Sequence, residues 1–314
     1  MHRIPFRTFV SFSDLYSSIS YRPLTTNYQL LTTVPARLAP TPSGFLHFGN
    51  AANFALNALL AQRTDGRLLL RIDDLDRGRF REEYLAEIFR VIDWLELTVT
   101  DGPRNAADFH ARWSQEHRMP EYEKALEELS RSPLVFGCPC SRKELATGRH
   151  AHGCLEQKID LAEKGVAWRI NTRQLAEYLH LPDLVRAKPF TIRFHEEMPD
   201  FAIRKKDGRP SYQLACTVDD VLFGITHVGR GEDLLASTAV QAVLSDLLGY
   251  EPLFKRIQFV HHPLVEGVGG EKLSKSAGAE GVAGLSEIYP EQVFALANSW
   301  IDAKQGRDAP ALTK

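Results

Sequence analysis

Residues 36–50 read "ARLAPTPSGFLHFGN", with two prolines, two glycines and a lone histidine just before an apolar helix. Prolines and glycines at this density fix a backbone path, and Gly44 and Gly49 allow backbone to come close to a ligand. Ala51, Phe54, Ala55, Ala58 and Leu59 then recur at helical spacing. The stretch therefore predicts a loop that holds something against a helix N-terminus, where unbonded N–H groups favour phosphate. His47 stands at the mouth of that helix. Neither GxGxxG nor GxxxxGK[ST] is present in the loop, which sets aside a dinucleotide fingerprint and a P-loop. Taken alone, His47 reads more simply as a surface histidine before a helix.

Around this loop the pattern is α/β. Val34 to Ala39 reads as a strand leading in, and the Asp65-Gly66 turn precedes a buried strand from Arg67 to Ile72. Tyr84, Leu85, Ile88, Phe89, Ile92 and Leu95 keep the helical period expected of a crossover on a parallel sheet. Near Phe136 the pattern breaks into a Cys, Gly and His segment, followed by mixed elements to about Pro199. "FAIRKKDGRPSYQLACTVDDVLFGITHVGRG" resumes as strand-like sequence at Phe201, with Cys216 on a strand and in the core, and a helix follows from Asp233 to Leu248. The chain reads as an α/β sheet domain interrupted by an insertion, without internal repeats or low-complexity stretches.

Composition narrows the class. The 314 residues are 44% hydrophobic and 25% charged, as in an ordinary globular protein, and no apolar run approaches the ~18 residues of a membrane span. No membrane partner is expected. A formal charge of −2 gives no bulk attraction to nucleic acid, so RNA contact would need local basic patches. Arg204, Lys205, Lys206 and Arg209 form one such run, which a solvated turn also explains. Four cysteines without a secretory signal point to a reducing compartment, the cytoplasm. Residues 1–33 carry Arg3, Arg7 and Arg22, many Ser and Thr, and the single acid Asp14. That is a transit-peptide composition, with a mitochondrial address as the alternative. A poorly ordered or loosely docked extension, or an over-extended gene model, explains it with fewer assumptions.

Two further segments carry chemistry. "CPCSRKELATGRHAHGC" places Cys138, Cys140, His150 and Cys154 as C-x-C-x9-H-x3-C. Thiolates with an imidazole suit one closed tetrahedral structural zinc site, with His152 as an alternative ligand and reduced, idle thiols as the plainer reading. "GGEKLSKSAG", Gly269 to Gly278, presents Lys272 and Lys275 on a glycine loop. Two lysines there could neutralise a triphosphate as charge builds in transfer, or form a solvated basic turn.

Together, His47-Phe48-Gly49-Asn50 and Lys272-Leu273-Ser274-Lys275-Ser276 resemble the HIGH and KMSKS signatures of class I aminoacyl-tRNA synthetases. "RLAPTPSGFLHFG", "LLLRIDDLD", "DWLEL", "DFAIRKKDGRPSYQLACTVDD" and "VGRGEDLL" are similar to the glutamate branch. The resemblance covers about Val34 to Ser276. It is strongest to the glutamyl-queuosine tRNA(Asp) synthetases, short paralogues of glutamyl-tRNA synthetase that end soon after the second signature. A full glutamyl-tRNA synthetase carries a helical anticodon-binding domain, for which the 38 residues after Ser276 leave no room.

The resemblance implies a Rossmann-like parallel sheet split by an α+β insertion with the zinc segment, and a short helical C-terminal part. Residues 1–33 would be an extension, 34–135 and 201–262 the two halves of the catalytic domain, 136–200 the insertion, and 263–314 the KLSKS loop and helical end. It implies ATP-dependent activation of L-glutamate, with Mg2+, and transfer from glutamyl-adenylate to queuosine in tRNA(Asp) by a monomer. His47, Lys272 and Lys275 would be catalytic, and His47, Gly49, Asn50 and Lys275 would bind ATP. Arg37 and Arg230 match arginines that contact the substrate side-chain carboxylate, a planar fork that rejects glutamine. A salt bridge from Arg230 to Glu232 or Asp233 is its structural alternative. Leu38, Ala39, Pro40 and Thr41 would line the glutamate site, and Tyr212 would close it. Asp73 stands where the family has Glu for the substrate amino group, with the charge kept and the reach shortened. A truncated glutamyl-tRNA synthetase charging the 3′-terminal adenosine, an HxGH-type nucleotidyltransferase and an inactive RNA-binding relative are the rivals. Intact His47, Lys275, Arg37 and Arg230 count against the last.

Overall fold

In the computed structural model, residues 34–146, 150, 153–265 and 288–302 are described. Expectations placed on residues 1–33, His152 and the Gly269–Gly278 loop lie outside them. The chain runs β1 (Val34–Leu38), α1 (Phe48–Arg63), β2 (Leu68–Leu70), α2 (Glu82–Trp94), α3 (Ala106–Asp108) and α4 (Met119–Ser130). Next come β3 (Val135–Cys138), α5 (Arg142–Leu145), α6 (Cys154–Gln157), β4 (Ala167–Ile170), β5 (Tyr178–Leu181), β6 (Phe190–Arg193), α7 (Phe194–Glu197) and β7 (Ala202–Arg204). The last part holds α8 (Tyr212–Leu222), β8 (Ile225–Gly231), α9 (Leu235–Leu247), α10 (Glu251–Phe254), β9 (Gln258–His262) and α11 (Pro290–Asp302).

β2, β1, β8 and β9 pair in that order, all parallel. Leu68, Leu69 and Leu70 are buried to the last residue, as a parallel strand covered on both faces requires. α2 turns Leu85, Ile88, Val91 and Ile92 inward while Glu82, Glu83, Arg90 and Asp93 face outward, which is why its period was readable. α1 packs closely on β8: a Cβ at Gly229 would lie 2.6 Å from Leu56 Cδ2, so only glycine admits the helix there. α11 packs on α1, burying Val293, Ala297 and Trp300, and Arg63 pairs with Asp302 at its end.

Between the halves of the parallel sheet, β3, β4 and β7 form an antiparallel sheet and β5 and β6 a hairpin. β7 hydrogen-bonds to β4, so residues 202–204 join the insertion's sheet. The strand expected through Cys216 is instead α8. Ser211 caps this helix, its Oγ accepting from the Leu214 N–H at 3.3 Å. Leu214 to Val221 are buried without a break because α8 is packed on several sides. Leu214, Ala215, Val218, Val221 and Leu222 keep the helical period, but Thr217, Val218 and Val221 are β-branched residues common in strands, and they favour the strand reading. Cys216 is nevertheless core, 1% exposed. Among the described residues no helix is long and apolar enough to cross a membrane.

Candidate active site

The site begins where β1 and β8 part. Their pairing ends at Ala36 and His227. Beyond it, Asn57 on α1 takes the backbone of Gly229, accepting from its N–H at 2.8 Å and donating to its carbonyl at 3.0 Å. The crevice outside the carboxyl ends of parallel strands, where the chain order reverses, is the usual ligand position in open α/β sheets. A cavity of about 650 Å³ fills it, bounded by the 39–50 loop, α1, the end of β8, Tyr212 and His262.

The loop leaves β1 by continuing its ladder: Arg71 N–H donates to the Leu38 carbonyl at 2.8 Å and Asp73 N–H to the Pro40 carbonyl at 2.9 Å. His47 is the N-cap of α1, its backbone N–H donating to Asn50 Oδ1 at 3.0 Å. A Cβ at Gly49 would stand 3.1 Å from His47 Cε1, a tight contact to which the imidazole would have to yield, and 3.6 Å from Val265 Cβ. At Gly44 a Cβ would meet nothing within 4 Å. That glycine leaves space in the cavity.

At the base lies a cluster of buried charges. Arg37 donates from Nε and Nη2 to Asp220 at 2.8 and 3.4 Å. Arg71 donates to both oxygens of Asp73, at 2.7 and 3.0 Å, and from Nη1 to Asp220 at 2.6 Å. Asp219 is occupied by Arg118, Tyr122 and Gln115. Arg230, 4% exposed, donates from Nη2 to Gln241 Oε1 at 3.0 Å, and its Nε and Nη1 are buried with no partner among the described residues. The salt bridge to Glu232 or Asp233 does not form; Glu232 pairs with Arg186.

These contacts set the ionisation states. Burial pushes the Asp220 carboxyl up, but the guanidiniums of Arg37 and Arg71 more than reverse it and hold it at about 2. Burial lowers Arg230, and Arg37 lowers it further. Burial raises Asp73 despite its Arg71 contacts, and raises the Cys216 thiol, with Asp220 adding to it. The site holds a cationic group in want of an anion.

Of the expected residues, the cavity brings together Arg37, Ala39, Pro40, Thr41, His47, Gly49, Asn50, Tyr212 and Arg230. Tyr212, 43% exposed, stands at the start of α8 on the rim. Leu38 is fully buried in the core, and Asp73, 4% exposed, is turned onto Arg71; neither lines the cavity. Lys272 and Lys275 lie outside the described residues. Asp220, Gln241, Asn53 and His262 were not singled out by sequence. The adjacent acids of "TVDD" are the one signal that could have drawn attention to Asp220.

A second cluster lies in the insertion. The ligand atoms of Cys138, Cys140, His150 and Cys154 all fall within 4.8 Å of one another. Cys138 Sγ is 3.3 Å from His150 Nδ1, and Cys154 Sγ is 3.5 Å from Cys140 Sγ and 3.7 Å from Cys138 Sγ. A tetrahedral ion with bonds of about 2.0–2.3 Å needs edges of roughly 3.5–3.8 Å, so the donor set fits one ion. His150 Nε2 meets Asp200 Oδ2 at 2.9 Å, the outer carboxylate that commonly orients a ligating histidine. Lys206 donates to the Pro139 carbonyl between two of the thiols, which engages it locally.

Comparison with known proteins agrees with this geometry. Residues 33–284 match the family "tRNA synthetases class I (E and Q), catalytic domain". The chain is 36% identical over 270 residues to a Glutamyl-Q tRNA(Asp) synthetase of Symbiobacterium thermophilum, covering 79% of this chain and 80% of that one. It is 32% identical over 275 residues to a Glutamate--tRNA ligase of Sulfurihydrogenibium sp., covering 82% of this chain and 56% of that one. The crystal structure of glutamate-tRNA synthetase from Elizabethkingia anophelis superposes with a TM-score of 0.61 at 26% identity, over 77% of this chain and 52% of that one. The chain thus spans about half the length of the Sulfurihydrogenibium relative and of others of that ligase name that it matches.

Proposed function

The chain belongs to the class I tRNA synthetase family for glutamate and glutamine, and from that premise we propose that it activates L-glutamate with ATP and transfers it to queuosine in the anticodon of tRNA(Asp). The observation that carries the amino-acid assignment is Arg230, a buried guanidinium with two nitrogens unpartnered and no acidic partner among the described residues. The substrate's side-chain carboxylate supplies the missing acceptor, and glutamine would leave the charge uncompensated. Arg37 stands beside it on the cavity wall. Asp73 can meet the substrate amino group only by sharing an oxygen already bonded to Arg71.

In the first step an α-carboxylate oxygen of glutamate bonds to the α-phosphorus of ATP, and the bond to the bridging oxygen breaks, releasing pyrophosphate. His47 and the N–H groups at the start of α1 face the developing charge, with Lys272, Lys275 and ATP-borne Mg2+ assigned to the leaving group. In the second step a tRNA hydroxyl attacks the adenylate carbonyl and AMP leaves. Cys138, Cys140, His150 and Cys154 would hold one zinc ion, which supplies a structural cross-link to the insertion. We assign a monomer working in a reducing compartment.

Support for the anticodon acceptor is the relative named Glutamyl-Q tRNA(Asp) synthetase, four fifths of which this chain covers. The relatives named Glutamate--tRNA ligase favour the second reading, charging of the 3′-terminal adenosine. The test is to charge bulk tRNA with labelled glutamate and separate anticodon-arm from acceptor fragments under mildly acidic conditions. Label on the anticodon fragment, lost with tRNA lacking queuosine, is the expected result. Label on the terminal adenosine selects the second reading.

A further inference from the structure

The carboxylate demand of Arg230 has a cause one residue further out. Arginine offers only donors, so the Gln241 amide must face it with Oε1, at 3.0 Å from Nη2. Gln241 Nε2 then donates to Gln213 Oε1 at 3.2 Å, and Gln213 Nε2 donates to Ser237 Oγ at 2.9 Å. The relay is directional and neutral throughout. Gln241 is fully buried and sits on α9, facing β8. It fixes the guanidinium plane while leaving the charge intact.

The neighbouring arginines are treated differently. Arg37 is neutralised by Asp220, Arg71 by Asp73 and Asp220, and Arg118 by Asp219. Arg230 alone in this cluster receives an amide in place of a carboxylate, so one buried positive charge remains for a ligand. We propose that Gln241 is a specificity-determining positioning residue, which holds Arg230 through a neutral acceptor and so makes a ligand anion obligatory. This rests on the reading of the cavity as a glutamate site. An acid at position 241 would supply the anion internally and remove the reason to prefer glutamate over glutamine.

Gln241→Glu is isosteric, and a flip of the Gln213 amide would present Nε2 to the new carboxylate. Binding of L-glutamate and L-glutamine is measured by calorimetry with a non-hydrolysable ATP analogue, beside glutamate-dependent pyrophosphate exchange. The variant is expected to bind glutamate about a hundredfold more weakly and to lose most discrimination against glutamine, with the KM for ATP unchanged. Gln241→Met, which removes the acceptor without adding charge, should keep the preference for glutamate while weakening both ligands. Unchanged glutamate binding and selectivity in Gln241→Glu, with a wild-type melting profile, overturns the proposal. A melting transition lowered equally in both variants, with selectivity kept, assigns Gln241 to the core and also overturns it. Wild-type chain that binds glutamate without exchanging pyrophosphate would refute the activation reading and leave this one standing; wild-type chain that binds no glutamate refutes both.

Discussion

The ring of His262 lies flat on the indole of Trp300, centroids 4.0 Å apart and planes 6° from parallel. His262 Nδ1 donates to the Pro263 carbonyl at 2.8 Å, and Nε2 accepts from Asn53 at 3.1 Å. The stack therefore ties the cavity wall at the end of β9 to α11, which sits outside the parallel sheet.

Trp300→Ala should cost about 3 kcal/mol of stability, the usual range for removing a buried aromatic ring, and Trp300→Phe appreciably less. Urea unfolding measures it. Because His262 lines the cavity, the alanine variant should also weaken ATP more than glutamate. An equal loss for both ligands would mean the stack is not local to one end of the cavity.

Asp220 contributes stability that depends on pH. Its folded value of about 2 lies below the ordinary carboxylate value of 3.8, so the contribution is present above pH 4 and is lost as pH falls through 2. The shift corresponds to roughly 2 kcal/mol. Asp220→Asn should flatten the stability profile between pH 4 and pH 2. It should also lower stability at pH 7 by about 3 kcal/mol or more, because Arg37 and Arg71 lose a buried partner. Unfolding free energies across that range decide it.

Purified protein should carry about one equivalent of zinc by elemental analysis, and Cys140→Ser should lose it together with thermal stability. Metal-free protein that melts with the untreated sample would remove the structural role.

Glutamate-dependent exchange of labelled pyrophosphate into ATP should proceed without tRNA, and glutamine should not replace glutamate. Lys275→Ala should slow it by roughly two to three orders of magnitude, the scale for losing a transition-state charge donor. A tenfold or smaller loss would assign the "GGEKLSKSAG" loop a structural part only.

Local chemistry was legible in the sequence. The loop from Ala36 to Asn50, the helix it feeds, the buried strand at Leu68–Leu70 and the Cys138–Cys154 ligand spacing all follow from residue type and short-range period, which act within a few residues of chain. α8 reads as a strand when the β-branched Thr217, Val218 and Val221 are given more weight than the helical spacing of Leu214, Ala215, Val218, Val221 and Leu222, and the arginines that bury Asp219 and Asp220 leave no local trace. The charge state of the site could not be read at all. Arg37 meets Asp220 across 183 residues, and Arg230 meets Gln241 rather than the acids beside it in sequence. Which arginine is neutralised and which remains available depends on how α8 and α9 pack against β1 and β8. Sequence spacing records neighbours along the chain, whereas an ion pair depends on distance and burial after folding, and here only the tertiary structure decided both.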